Sequence, residues 1–163
     1  MQSQLVSQIT ILLFPNKSSY IQNINEPLLL QKINEKYPLN ILVAEDNAIN
    51  QKLMSNLFVI LGYTIHLATN GLEAIDILKR TKIDIVFMDM QMPEMDGLEA
   101  TRQIIAQWGN QKPLIVSMTA NALESDKQKC KDAGMDDFIS KPLTINQVGA
   151  RIKQWALLVK LSK

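Results

Sequence analysis

The sequence predicts an α/β domain, a buried parallel β-sheet with helices on both of its faces. Two observations carry this. From Leu39 onward, short apolar runs alternate with segments of helical period five times over, and repeated strand–helix units build a parallel sheet. The runs are also largely apolar instead of alternating regularly with polar residues, as expected of strands covered on both sides. In an open sheet of this type, sites form beyond the carboxyl ends of the strands. The residues just after each strand are therefore where chemistry is expected.

Ile41-Leu42-Val43-Ala44 is the first strand. Asn47 is placed to cap the next helix, whose apolar positions Leu53, Leu57 and Ile60 recur at helical spacing and which Gly62 stops. Thr64 to Ala68 is β-branched enough for a second strand. Asn70-Gly71 reads as a turn, after which Leu72, Ile75 and Leu78 form one helix face that ends near Thr81. Ile83 to Met88 is the third strand, and Asp89 to Gly97 is a loop holding Pro93. Leu98 to Trp108 reads as a helix with Ile104, Ile105 and Trp108 on one side, and Leu114 to Met118 as the fourth strand. Ala122 to Ala133 is a polar helix that Gly134 is suited to end. Phe138-Ile139 is a short fifth strand, and a last helix runs from near Thr144 to Leu158.

The 163 residues allow one domain and a short appendage. Seventeen basic against sixteen acidic residues leave a formal charge of +1, so no global basic excess drives nucleic-acid or membrane binding. A lone cysteine, Cys130, and a lone histidine, His66, exclude a disulfide framework, a thiolate-rich metal site and a histidine cluster. The cysteine count fits a reducing, cytoplasmic setting. Residues 1–38 stand apart from the domain, which is assigned to 39–160. Ile9 to Phe14 could form a strand and Pro27 could open a helix through Leu28, Leu29, Leu30 and Ile33. A lone strand and helix cannot bury their own apolar faces. The run from Leu5 to Phe14 is broken by Ser7, Gln8 and Thr10 and has no Lys or Arg before it, so it reads as neither a signal peptide nor a membrane span.

At the strand ends stand Glu45 and Asp46, then Asp89, Thr119 and Lys141. Three carboxylates, a hydroxyl and an amine converge there. Clustered carboxylates raise each other's pKa and call for a positive partner. Mg²⁺, or Mn²⁺, suits hard oxygen ligands, and Lys141 adds a fixed charge. A carboxylate nucleophile can form an acyl phosphate, and phosphoryl transfer needs positioning and charge stabilisation above all. Taken singly, Glu45-Asp46-Asn47 reads as a helix cap and turn, and Lys141 as a solvated side chain. Taken jointly, after successive strands, they read as a phosphoryl-transfer site.

Glu45-Asp46-Asn47, Met88-Asp89-Met90-Gln91-Met92-Pro93-Glu94-Met95-Asp96-Gly97, Met118-Thr119-Ala120-Asn121-Ala122 and Ser140-Lys141-Pro142-Leu143 closely resemble receiver (response-regulator, CheY-like) domains, most of all those of hybrid sensor histidine kinases. The resemblance spans about Leu39 to Leu158. It implies a flavodoxin-like (βα)5 sandwich with strand order 2-1-3-4-5 and a cis Lys141–Pro142 bond. It also implies Asp89 as the phosphoacceptor, Thr119 and Lys141 as phosphate contacts, and Asp46, Asp89 and the Gln91 carbonyl as metal ligands. Glu45 would act on the metal through water. Thr119 and Phe138 would form the switch, while Asn47, Ile49 and Asn50 would lie on the helix that docks a histidine kinase or histidine phosphotransfer partner. Homodimers are compatible with it.

Phe138 departs from the family's frequent tyrosine, so it has no hydroxyl to bond once turned inward. Residues 1–38 fit the tail of a preceding domain in a larger hybrid kinase, or alternatively a segment packed on the receiver. A stand-alone single-domain regulator is the nearest rival. An aspartyl-phosphate phosphohydrolase is a further one, and it lacks the second carboxylate that Gln91 replaces. His66 reads as a strand-surface residue, Met88, Met90, Met92 and Met95 as packing, Cys130 as an ordinary thiol, and Lys127, Lys129 and Lys131 as a solvated face. Gln91 and Asn121 flank the site and are expected to tune water access.

Overall fold

In the computed structural model, which describes residues 33–120 and 123–161, five parallel strands form one sheet in the order β2-β1-β3-β4-β5. The strands are β1 (Ile41–Ala44), β2 (Ile65–Ala68), β3 (Ile85–Asp89), β4 (Leu114–Thr119) and β5 (Asp137–Ser140). The helices between and after them are α1 (Ala48–Ile60), α2 (Gly71–Arg80), α3 (Gly97–Trp108), α4 (Glu124–Ala133) and α5 (Ile145–Leu161).

The period of two along each strand sorts the core into two layers. Ile41, Val43, Ile85, Phe87, Val116 and Met118 meet α1 and α5, where Phe58, Phe87 and Trp155 pack ring to ring at 5.2 and 5.4 Å between centroids. Leu42, Ala44, Val86, Met88 and Ile115 meet α2, α3 and α4 on the other side. Both faces are dry, which is why the central strands read as unbroken apolar runs. The order expected from the resemblance is the order found.

Several boundaries shift for local reasons. β3 begins at Ile85, not Ile83, because Asp84 is a tie between strands: its carboxylate accepts the Asn40 N–H at 2.8 Å and its carbonyl accepts the Leu114 N–H at 3.0 Å. The strand runs on to include Asp89 itself. Asn70-Gly71 is not a free turn. Asn70 caps α2 by accepting the Glu73 N–H at 2.9 Å, and Gly71 is the first helical residue; an Asn side chain closes turns and helix starts with the same local bond. β5 is longer than Phe138-Ile139, and α5 continues past Leu158 to Leu161. Gly134 ends α4 in a left-handed conformation, φ 91°, as the sequence suggested.

Ahead of β1, Ile33–Lys36 forms a single helical turn. Ile33 is 8% exposed and joins the α1–α5 layer, and Tyr63 donates its hydroxyl to the Tyr37 carbonyl at 2.6 Å. Burial and the neighbouring Tyr37 push the Tyr63 phenol up to about 12. The expectations for Ile9–Phe14 and for a helix opening at Pro27 fall outside the described residues.

Candidate functional site

The sheet order makes β1 and β3 neighbours while the chain leaves them in opposite directions, β1 toward β2 and β3 toward β4. Their carboxyl ends therefore border a crevice. Ala44 pairs with Met88 in register, which sets Glu45 beside Asp89. β4 and β5 end alongside, with Thr119 paired to Ser140 and the Lys141 N–H donating to the Thr119 carbonyl at 2.7 Å. The Lys141–Pro142 bond is cis, as the resemblance implied.

Five of the expected residues thus gather at one edge of the sheet. Lys141 Nζ donates to Glu45 Oε2 at 2.6 Å and to Asp89 Oδ2 at 2.7 Å. Asp89 Oδ1 accepts the Gln91 N–H at 3.2 Å. Asp46 is exposed, and Glu45, Asp46 and Asp89 each offer an oxygen within 4.8 Å of the others. Thr119 is buried at the end of β4. Three carboxylates against one ammonium leave a net negative site built of hard oxygen donors, which fits Mg²⁺ better than a soft metal.

The site's groups differ in how comfortably they hold charge. For Asp89, burial is the largest effect. Lys141 and the Gln91 N–H offset it in part and the Glu45 charge adds to it, so its carboxyl lies above the ordinary value. Burial also opposes ionisation of Glu45, which is 1% exposed, but here the hydrogen bonds from Lys141, Asn50 and the Asn47 N–H, with the Lys141 charge, win. Its carboxyl lies below the ordinary value. Burial would lower Lys141, yet its two carboxylate partners outweigh it and hold the ammonium above its usual range.

The loop after β3 is pinned to Asp89. The Gly97 N–H donates to the Met90 carbonyl at 3.1 Å, and a Cβ on Gly97 would lie 2.0 Å from the Asp89 carbonyl oxygen. Met88 is buried, and Met90, Met92 and Met95 pack on the α2–α4 side, as read from the sequence.

The residues expected to meet a partner divide. Ile49 is 71% exposed. Asn47, also exposed, caps α1 as the sequence suggested, its Oδ1 accepting the Ile49 and Asn50 N–H groups at 2.9 and 3.1 Å, and the Asn50 side chain turns back to Glu45. Gln51, not singled out in the sequence, donates from Nε2 to the Glu45 carbonyl at 2.6 Å. A run of amide side chains in the first helical turn after an acidic pair was the available signal.

Phe138 lies outside the acidic cluster, half-buried on β5. The Lys127 ammonium sits 4.8 Å from its ring centroid, and Arg151 donates to its carbonyl. Lys127 is thus a packed residue and not part of a plainly solvated face, because a buried ring face attracts a cation. Cys130 is buried with its Sγ 3.2 Å from Ser117 Oγ, and His66 is exposed on β2. Asn121 falls outside the described residues.

Residues 41–153 match the family model described as the response regulator receiver domain. Among curated proteins, hybrid signal transduction histidine kinase H of Dictyostelium discoideum is 37% identical over 142 residues, which cover 85% of this chain and 10% of that protein. The chain therefore spans about a tenth of the length of that relative. Among solved structures, the receiver domain of sensor histidine kinase PA1611 from Pseudomonas aeruginosa PAO1, with a magnesium ion coordinated in its active-site cleft, is 35% identical at a TM-score of 0.67, covering 72% of this chain and 97% of that one. The receiver domain of Ssk1 in complex with the histidine phosphotransfer protein Ypd1 of Saccharomyces cerevisiae is 30% identical at a TM-score of 0.69, covering 74% and 90%.

Proposed function

The chain belongs to the response regulator receiver domain family of two-component signalling, and from that premise we propose that it takes a phosphoryl group from a phosphohistidine onto Asp89. The observation that carries the proposal is the shared lysine: one ammonium bonds both Glu45 and Asp89 at the carboxyl edge of the sheet. A lysine so placed aligns the Asp89 carboxylate and stands ready for an oxygen of the incoming phosphoryl group.

In the transfer, an Asp89 carboxylate oxygen attacks phosphorus, the P–N bond to the donor imidazole breaks, and the electron pair leaves with the imidazole nitrogen. The product is an acyl phosphate. Mg²⁺ held by Asp46, Asp89 and the Gln91 carbonyl, with Glu45 acting through water, would neutralise charge on the phosphoryl oxygens. Gln91 N–H and Lys141 Nζ fix the two Asp89 oxygens in the resting site. Lys141 and the Thr119 hydroxyl then contact the phosphoryl oxygens.

The donor we propose is a histidine phosphotransfer domain or histidine kinase, docking on the exposed Ile49 side of α1. The Ssk1–Ypd1 relative supports a partner of this class. The parent is a hybrid histidine kinase, in line with the kinase relatives, and the domain works in the cytoplasm, where ATP charges such donors. Phosphoryl occupancy would bias Thr119 and Phe138 between two arrangements and so alter the β5 face.

Incubation with a phosphohistidine-bearing phosphotransfer protein and Mg²⁺ should add one phosphoryl group to the wild-type chain, labile to hydroxylamine, and none to Asp89→Asn. Phosphate arriving equally on Asp89→Asn would overturn the assignment.

A further inference from the structure

We infer that Asn50 is a positioning residue for phosphoryl acceptance, holding the Glu45 carboxylate in the orientation that Mg²⁺ and Lys141 require. The inference deepens the proposed function and rests on it. Glu45 is the most enclosed acid of the site, and an ionised carboxylate at 1% exposure needs donors on both oxygens. Oε2 has Lys141. Oε1 has the Asn47 N–H at 3.2 Å and the Asn50 Nδ2 at 3.1 Å. Asn50 is the one neutral side chain among these donors.

Its placement is built into the start of α1. The Asn50 N–H is held by the Asn47 cap at 3.1 Å, which anchors the backbone of the residue whose side chain reaches back to Glu45. The amide donates without adding charge, so it fixes Glu45 and leaves the site's negative charge for the cation. Without it, the Glu45 carboxylate is tethered on Oε1 only by the longer backbone bond and leans toward Lys141. The lysine is then shared unevenly with Asp89. Partners that orient ligands around a metal typically change its affinity 10–100-fold when removed. Glu45 reaches the metal through water, so the lower end applies.

The test uses Asn50→Ala, Glu45→Gln and the double variant, with Mg²⁺ affinity measured by calorimetry and phosphorylation measured with both a small acyl phosphate and a phosphotransfer protein. Asn50→Ala should bind Mg²⁺ about tenfold more weakly and accept phosphate more slowly from both donors. Its melting temperature should fall by only a few degrees, since one hydrogen bond to Glu45 is lost while the Lys141 and Asn47 N–H bonds remain. In the Glu45→Gln background the same change should alter Mg²⁺ affinity less than about twofold, because the coupled partner is already gone.

A loss confined to the protein donor, with Mg²⁺ affinity unchanged, would make Asn50 a docking residue and overturn the inference. Equal losses in both backgrounds, or a fall in melting temperature that accounts for them, would overturn it too. If the wild type itself neither binds Mg²⁺ nor accepts phosphate from the acyl phosphate, the proposed function falls and takes the inference with it. A competent wild type matched by Asn50→Ala sinks the inference alone.

Discussion

Gly97→Ala is expected to damage phosphate acceptance through space alone. Gly97 lies where α3 starts against the end of β3. An added methyl would sit 2.0 Å from the Asp89 carbonyl oxygen, 2.9 Å from the Asp89 carbonyl carbon and 2.9 Å from Met88 Cγ. Ordinary contact begins near 3.4 Å, so a relative movement of about 1.4 Å is needed. Neither side yields easily. β3 is bonded to β1 and β4 on its two edges, and α3 is held by the Gly97–Met90 bond and by the Asp96 cap on the Glu99 N–H at 2.8 Å. Overpacking of this kind costs about 1–3 kcal/mol, roughly 3–15 °C in melting temperature for a domain of this size. The part displaced includes the nucleophile's own backbone, and a misplacement of about 1 Å can cost on the order of 100-fold in rate. The assay is phosphorylation of Asp89 by a small acyl phosphate with Mg²⁺, followed beside a thermal melt. Gly109→Ala is the control: nothing lies within 4 Å of its Cβ, but its φ of 52° strains any side chain. It should lower stability by about 1 kcal/mol or more and leave phosphorylation at the wild-type rate. Gly97→Ala with wild-type melting and wild-type phosphorylation would refute the steric reasoning.

Three further outcomes are expected. Tyr63 keeps its proton in the folded chain up to about 12, against 10.0 when unfolded. The unfolded state therefore loses its proton first, and the stability this group supplies is intact below pH 10 and lost as pH rises toward 12, by at most about 3 kcal/mol. Tyr63→Phe should flatten that alkaline limb in urea midpoints and cost about 1 kcal/mol at neutral pH, through the lost bond to Tyr37. Mg²⁺ at a hundred times its dissociation constant should stabilise the wild type by about 2.7 kcal/mol; Asp46→Asn combined with Asp89→Asn should abolish the effect, and an unresponsive wild type would count against the metal site. Lys127→Met removes the cation over Phe138 and keeps the aliphatic stem. A half-exposed cation–π contact of about 0.5–1 kcal/mol corresponds to a roughly two- to fivefold larger inward population of the Phe138 ring, to be read by fluorine NMR of labelled phenylalanine.

The central strands were legible because burial on both faces leaves no alternation to misread, and Ile41–Ala44 begins and ends where the sequence suggested. The positions of Glu45, Asp89, Thr119 and Lys141 followed from the rule that sites lie past the carboxyl ends of strands. What the sequence did not disclose was direction. Glu45 and Asp46 are adjacent acids, yet the first is enclosed and the second is exposed, because successive residues leaving a strand face opposite ways. The inward turn of the Asn50 amide to Glu45 was not foreseen, since an exposed helix turn and an inward-turned amide share one sequence pattern. Lys127 looked solvated because its partner, Phe138, is remote in sequence. Asp84 was hidden inside an apolar run, where its bond to the Asn40 N–H could not be anticipated.

The helical turn at Ile33–Lys36 gives the domain a foot as well as a working end. Ile33 and the Tyr37–Tyr63 bond fasten the incoming chain at the amino-terminal edge of the sheet, the pole opposite Asp89. A chain trimmed to begin at Leu39 would remove a wedge from the core and strip the Tyr63 hydroxyl of its acceptor. The described chain thus enters the domain at that far pole, a sheet's length from the edge that carries the acceptor.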